Sequence, residues 1–197
     1  ANMEAGYTKD EYLKEPVRPL DLEKIQSISD LLEAFDRTSF QSRTLAACAN
    51  IFLEMLEDPD RPTIFLGIAG AMVPAGMKGV ISTMVRKNMV DVIVSTGANI
   101  YHDLVEAFGE HHYIGSPDAD DEMLHKQGID RIYDTYVDET RFGAVGNIIS
   151  SLADNLANAR IGSASSRLFL QKLGDLIDAK SSTEDKKECI IWNCWKN

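Results

Sequence analysis

Two short apolar runs constrain this chain more than any other feature. Thr63-Ile-Phe-Leu-Gly-Ile68 is bounded by Pro62 and Gly70, and Val90-Asp-Val-Ile-Val-Ser95 is bounded by Gly97. Neither has the polar alternation of a strand with one wet face; continuous apolar strands suit a parallel sheet covered on both faces. Between them Met77, Val80, Ile81, Met84 and Val85 recur at helical spacing, which predicts a helix from Pro74 to Asn88. Strand, helix and strand over about 33 residues make a βαβ unit, right-handed by default.

The flanks are helical. Leu22, Ile25, Ile28, Leu31, Leu32 and Phe35 share a face, with Asp21 placed to cap it. A second helix is predicted from Ser39 to Glu57, with Ala47, Cys48, Ile51, Phe52, Met55 and Leu56 inward, ended by Asp58-Pro59. Residues 1–18 lack periodicity and read as an arm, which leaves 19–197 as one folded stretch. Beyond the βαβ unit, helices are expected near Asn99–Phe108, Asp120–Gln127, Thr140–Ala157, Ser165–Ile177 and Thr183–Lys196, with a short strand within Ile129–Val137.

Two or three strands are few for a parallel sheet, since sheets usually hold about four to six. The chain also stops after an amphipathic helix carrying Ile190, Ile191, Trp192 and Trp195, where an α/β unit would enter its next strand. The pattern reads as the incomplete N-terminal portion of a larger α/β protein. In that reading the terminal apolar face lacks its cover and should aggregate or seek a partner. A mostly helical domain with a small sheet is the alternative.

Charge excludes some classes of function. The 197 residues carry 20 Lys and Arg against 31 Asp and Glu, a net charge of −11. That argues against nucleic acid and anionic membrane as partners, because both are held by cations. No apolar run approaches the roughly 18 residues needed to cross a bilayer. The opening ANMEAGYTKDEYLKEP has neither the basic nor the apolar region of a secretory leader. Three cysteines, Cys48, Cys189 and Cys194, form no C-x-x-C pair and fit reduced thiols in a cytoplasm, with Cys48 expected in a helix core.

Metal and hydrolase motifs are missing as well. His102, His111, His112 and His125 lack the i,i+4 pairing of a helical metal site, and the adjacent His111 and His112 should point apart. Asp118, Asp120, Asp121 and Glu122 lack the glycine and closing glutamate of a calcium loop and read as an acidic helix start. No G-x-S-x-G elbow is present.

Ligands of open parallel sheets sit beyond the carboxyl ends of the strands, where loops and helix N-termini converge. Here those loops are Gly67-Ile-Ala-Gly-Ala-Met-Val-Pro-Ala-Gly76 and Ser95-Thr-Gly-Ala-Asn99. Their small residues let a ligand approach the backbone, and the helix that follows each favours an anion. Neither is a G-x-G-x-x-G or P-loop motif, so tight strand-to-helix turns explain them equally well.

Several stretches together resemble the deoxyhypusine synthase family. They are Phe65-Leu-Gly, the run Val85-Arg-Lys-Asn-Met-Val-Asp-Val-Ile-Val-Ser-Thr-Gly, His102-Asp-Leu and Gln127-Gly-Ile-Asp-Arg-Ile132. Leu32-Glu-Ala-Phe-x-x-Thr-Ser-Phe-Gln41 and the closing Trp195-Lys-Asn197 are also similar. The resemblance covers only the N-terminal part of the family's length. It implies a Rossmann-like α/β fold, with a parallel sheet flanked by helices, in a cytoplasmic homotetramer with NAD at its interfaces. It also implies an activity: NAD oxidises spermidine, an enzyme lysine captures the aminobutyl group, and a lysine of a translation-factor precursor receives it. By the family pattern that enzyme lysine lies beyond Asn197, so no catalytic residue is assigned in this chain.

The resemblance places NAD contacts on Gly70, Ala71, Met72, Val73 and Pro74, and on Thr96, Gly97 and Ala98. These are the loops chosen from strand topology. Ala71 stands where the eukaryotic pattern has an amide and Pro74 where it has a hydroxyl, so backbone contacts alone are expected there. Tyr101 and His102 stand where two glutamates grip the polyamine, which looks more like the prokaryotic deoxyhypusine synthase-like branch. They are the candidate substrate residues, with a polyamine or other small amine as partner. No metal is implied. A non-catalytic paralogue pairing with a complete subunit and an unrelated nucleotide-binding module are the alternatives.

Overall fold

The computed structural model describes residues 8–158 and 164–197. Residues 1–7 of the expected arm lie outside them. The chain divides into two units, Ala1–Pro62 and Thr63–Asn197, a boundary inside the stretch 19–197 that reads from sequence as one domain.

In the first unit Thr8 caps the short helix α1 (Lys9–Tyr12), and Asp21 caps a 3-10 turn at Leu22–Lys24. The helix expected from residue 22 begins instead at α2 (Ile28–Asp36). Ser27 accepts the Asp30 amide proton there, while the Asp30 carboxylate accepts that of Ser27, and this reciprocal cap sets the start. Helix α3 (Phe40–Glu57) packs on α2 and stops before Pro59 as expected. Its inward face differs from the expected one. Among the described residues of this unit only Ala46 is fully buried, while Ala47, Cys48 and Ile51 are exposed. A helix with one helical neighbour in its unit covers a single narrow stripe, here centred on Ala46 rather than Cys48.

The second unit opens with β1 (Phe65–Ile68), α4 (Lys78–Arg86) and β2 (Val92–Ser95), with the strands parallel and Phe65 opposite Val92. The βαβ unit is therefore present. Helix α4 starts four residues later than expected because Gly76, at φ +81°, closes a turn over residues 72–76 that a helix from Pro74 could not contain. The expected cover on both faces of the sheet is not found. Leu66, Ile68 and Ile93 pack against Val73, Ile81 and Ile190, whereas Phe65 and Val94 on the opposite face are 66% and 60% exposed. Among the described residues the parallel sheet has two strands.

After α5 (Gly97–Ala107) the chain forms β3 (Tyr113–Ile114), α6 (Asp121–Lys126), β4 (Ile129–Ile132) and β5 (Thr135–Asp138). The last two form a hairpin where a single strand was expected. The turn carries Tyr133 at φ +56°, and the antiparallel order is β3-β5-β4. Helices α7 (Glu139–Asn158), α8 (Ser166–Lys180), α9 (Thr183–Glu188) and α10 (Ile190–Lys196) complete the unit. The architecture is mixed α/β and mostly helical, with two small sheets among the described residues.

The expected helix over Thr183–Lys196 breaks at Cys189, because a distant carboxylate caps a new start. Asp103, wholly buried on α5, accepts the amide protons of Ile190 and Ile191 at 3.0 and 2.9 Å and the Cys189 thiol at 3.2 Å. That cap also corrects the expected bare apolar terminus. Ile190 and Ile191 are buried, the first beneath the parallel strands and the second among Leu104, Val105, Leu173 and Ile177. The Trp192 and Trp195 indoles donate to Asp178 and Asp175.

Candidate functional site

The loop after β1 and the loop after β2 are held together by one side chain. Asn99 is fully buried in the first turn of α5. Its Oδ1 accepts the Val73 amide proton at 3.2 Å; its Nδ2 donates to the Gly70 carbonyl at 2.8 Å and to the Thr96 hydroxyl at 3.2 Å. The Thr96 amide donates to the Ile68 carbonyl, anchoring the second loop to the end of β1. Both candidate strips, residues 70–74 and 96–98, therefore meet at one end of the parallel pair.

The rim of this place is backbone. A side chain added at Gly67, Gly70 or Gly97 would meet nothing within 4 Å, and Gly70 sits at φ +72°, a conformation glycine adopts freely. Gly70, Met72, Thr96, Gly97 and Ala98 are exposed, Ala71 is half-buried, and Val73 and Pro74 are buried as the floor. The Thr96 side chain accepts from Asn99 but caps no backbone amide of α5, and no acid occupies the first turn. Its amides are thus oriented as a helix orients them towards an anion. Open glycines beside such a helix start leave room for an anionic group against the backbone. Ala71 and Pro74 add no hydrogen-bonding side chain there.

One turn further, Tyr101 and His102 point into the protein. The Tyr101 hydroxyl donates to the Phe142 carbonyl of α7 at 2.6 Å, with the two rings 4.5 Å apart. His102 is 8% exposed, and its ring lies 5.1 Å from that of Phe142. Its Nδ1 faces His112 Nε2 at 2.9 Å, and His112 Nδ1 faces Glu106 Oε1 at 2.5 Å. The other Glu106 oxygen meets the Lys78 ammonium of α4. Burial, reinforced by His112, lowers the His102 pKa to about 4, so its ring is neutral near pH 7. Burial pushes the Glu106 carboxyl up, but the bonds from His112 and Lys78 outweigh it and keep the group ionised. His111 is exposed while His112 is inward, so the adjacent histidines do point apart. Among the described residues no group of three or more His, Cys, Asp or Glu could hold a metal.

Sequence reasoning missed Asn99, Glu106, His112 and Lys78. The i,i+4 spacing of His102 and Glu106 on a predicted helix was a usable signal. Nothing local announced His112, which arrives from the segment before β3.

The family model of deoxyhypusine synthase matches residues 30–197. A relative from Methanosarcina acetivorans, named "Probable deoxyhypusine synthase 2", is 41% identical over 174 residues, covering 88% of this chain and 49% of the relative. A deoxyhypusine synthase-like protein from Chlorobaculum parvum is 37% identical, covering 98% of this chain and 53% of its own. A crystal structure of an Entamoeba histolytica protein described as a deoxyhypusine synthase matches with a TM-score of 0.61 at 16% identity. It covers 92% of this chain and 59% of its own, and it speaks to the fold alone. The chain belongs to the deoxyhypusine synthase family, which sets aside the unrelated nucleotide-binding module. It spans about half the length of the curated relatives it matches. Among the described residues no helix is long and apolar enough to cross a membrane.

Proposed function

We propose that this chain is the dinucleotide-binding part of an NAD-dependent aminoalkyl transferase of deoxyhypusine synthase type, with a Rossmann-like parallel sheet. The donor is a polyamine or other small amine, and the acceptor a lysine of a translation factor. The reading rests on family membership, and one observation carries it: Asn99 joins two glycine loops beside an uncapped helix start. Residues Gly70 to Pro74 and Thr96 to Ala98 would hold NAD through their backbone. Bound NAD would supply a hydride acceptor. Tyr101 and His102 put a phenol and an imidazole where the family pattern has two carboxylates, so spermidine should be used poorly unless acids outside this chain replace the pair. None of this chain's lysines is assigned as the nucleophile. The assembly would be a cytoplasmic homotetramer.

A non-catalytic subunit that pairs with a complete paralogue is the second reading. It is favoured by Tyr101, whose hydroxyl is already spent on Phe142 inside the chain. Titration with NAD, followed by calorimetry, tests the first reading. Binding by the wild type that is lost in Gly70→Val and Gly97→Val supports it, and equal heats from wild type and both variants would reject it. Aminobutyl transfer by this chain alone is expected to be nil; measurable transfer would place the nucleophile here.

A further inference from the structure

Four side chains from three segments form one continuous hydrogen-bonded row: Lys78 on α4, Glu106 and His102 on α5, and His112 ahead of β3. All four are largely buried, Lys78 and Glu106 at 15% and 14% side-chain exposure. We propose that Lys78, Glu106 and His112 are positioning residues that fix which ring nitrogen of His102 carries its proton, making His102 and His112 a two-step proton relay for a bound primary amine. The proton-transfer half of this proposal rests on the reading that His102 faces the amine donor; the tautomer half does not.

The direction of each bond follows from what each group can donate. Glu106 is a carboxylate and only accepts, so His112 must donate to it from Nδ1. A neutral His112 then has its lone pair at Nε2 and accepts from His102 Nδ1–H. That leaves a lone pair on His102 Nε2, the ring nitrogen outside the row. An ammonium R–NH3+ meeting this nitrogen gives up one proton to it. The Nδ1–H bond of His102 breaks in turn, and its proton joins His112 Nε2. The products are R–NH2, a neutral His102 of the opposite tautomer, and an imidazolium at His112 paired with the Glu106 carboxylate. Two protons move, one at each step, so that one positive charge passes from the amine to His112, and no oxidant or reductant is consumed.

The row solves a difficulty that His102 alone would have. A cation on His102 is disfavoured by burial, so it would be a poor final resting place for a proton. His112 lies against a carboxylate and can keep the charge. Lys78 holds the second oxygen of Glu106, which keeps that carboxylate ionised and aimed at His112. Charged groups on the other packed elements are engaged elsewhere. Asp103 caps α10, Glu110 pairs with Arg141 of α7 at 3.3 Å, and Asp185 of α9 lies beside Gly109. The face of His102 towards α7 meets the Phe142 ring, 5.1 Å away, which carries no charge.

Nitrogen-15 NMR of histidine-labelled chain reads the tautomers without any activity. At pH 8, His102 should be protonated at Nδ1 and bare at Nε2. Glu106→Gln gives His112 Nδ1 a partner that can donate as well as accept, so the single pattern should give way to a mixture of both tautomers on the two rings. An Nε2–H on His102 at pH 8, or a tautomer pattern unchanged by Glu106→Gln, overturns the proposal. In the full-length protein with its amine donor, His112→Gln should lower kcat on the order of 100-fold with KM little changed, and steepen its dependence on pH. An unchanged kcat alongside the expected NMR pattern overturns the proton-transfer half and, with it, the placing of the amine at His102.

Discussion

The two halves of helix α5 do different work. Its first turn, Gly97 and Ala98 behind Thr96, is open to solvent and offers backbone with little side chain. Its later turns, Tyr101 to Glu106, are buried, and the polar side chains there are bonded to other elements. Backbone recognition tolerates side-chain change, so Ala71 and Pro74, which offer no side-chain hydrogen bond, are compatible with it. Side-chain networks do not tolerate it, since removing one member strands its partner in a low dielectric. Under the proposed function, the choice of amine should therefore be set by the second half of the helix and the binding of NAD by the first.

The largest effect is expected at Asp103, which belongs wholly to the buried half. Asp103→Ala removes the cap of α10 and leaves the Ile190 and Ile191 amides unpartnered inside the core. A loss of about 3 kcal/mol in urea unfolding is expected. A loss below about 1 kcal/mol would mean that α10 holds itself and that this half of α5 is not its anchor. Asn99→Ala follows, at about 2 kcal/mol of stability. Because Asn99 ties both loops, it should also weaken NAD binding about tenfold, which Asp103→Ala should not do beyond its effect on folding. Equal effects of both on NAD would erase the distinction between the two halves.

The open half was the legible one. Strands expected at Thr63–Ile68 and Val90–Ser95 are found at Phe65–Ile68 and Val92–Ser95, and the two loops between strand and helix do meet. Periodicity and glycine placement report local backbone, and a strand-end site is made of local backbone. What stayed hidden depends on contacts distant in sequence. Cys189 breaks a continuous helical pattern only because Asp103, 86 residues earlier, reaches its thiol and the next two amides. Cys48 lies outside the narrow stripe that α3 packs, although it sits in an apolar run. His112 joins the row of side chains from outside the helix, where no spacing rule applies.

Acid separates the halves in a third way. His102 titrates at about 4 in the folded chain against an ordinary 6.5, so between those values the unfolded chain binds more protons. Stability from this group is complete above pH 6.5 and lost as pH falls towards 4. Glu106, held low, adds a loss of the same sign at lower pH, whereas burial of Asp103 raises its carboxyl and acts in the opposite sense. Comparing wild type with His102→Gln isolates the histidine. Between pH 7 and pH 5 the wild type should lose about 2 kcal/mol more than the variant. Parallel curves would mean that His102 is solvated in solution and that the buried half is looser than drawn.

The smallest expected effect is the most discriminating, because it falls at the seam between the halves. Tyr101 follows the open turn directly, yet its hydroxyl donates inward to the Phe142 carbonyl at 2.6 Å. Tyr101→Phe keeps the ring against Phe142 and deletes one hydrogen bond, so stability should fall by only about 1 kcal/mol. If the seam lies where the burial places it, NAD affinity should be unchanged within twofold, because the first turn takes no support from this hydroxyl. In the full-length protein, a KM for the amine donor that rises with NAD affinity constant would make Tyr101 a substrate residue, freed from Phe142 when the donor arrives. A KM that stays put would leave the hydroxyl as a strut between α5 and α7. The amine would then have to be held by His102 and by residues outside this chain.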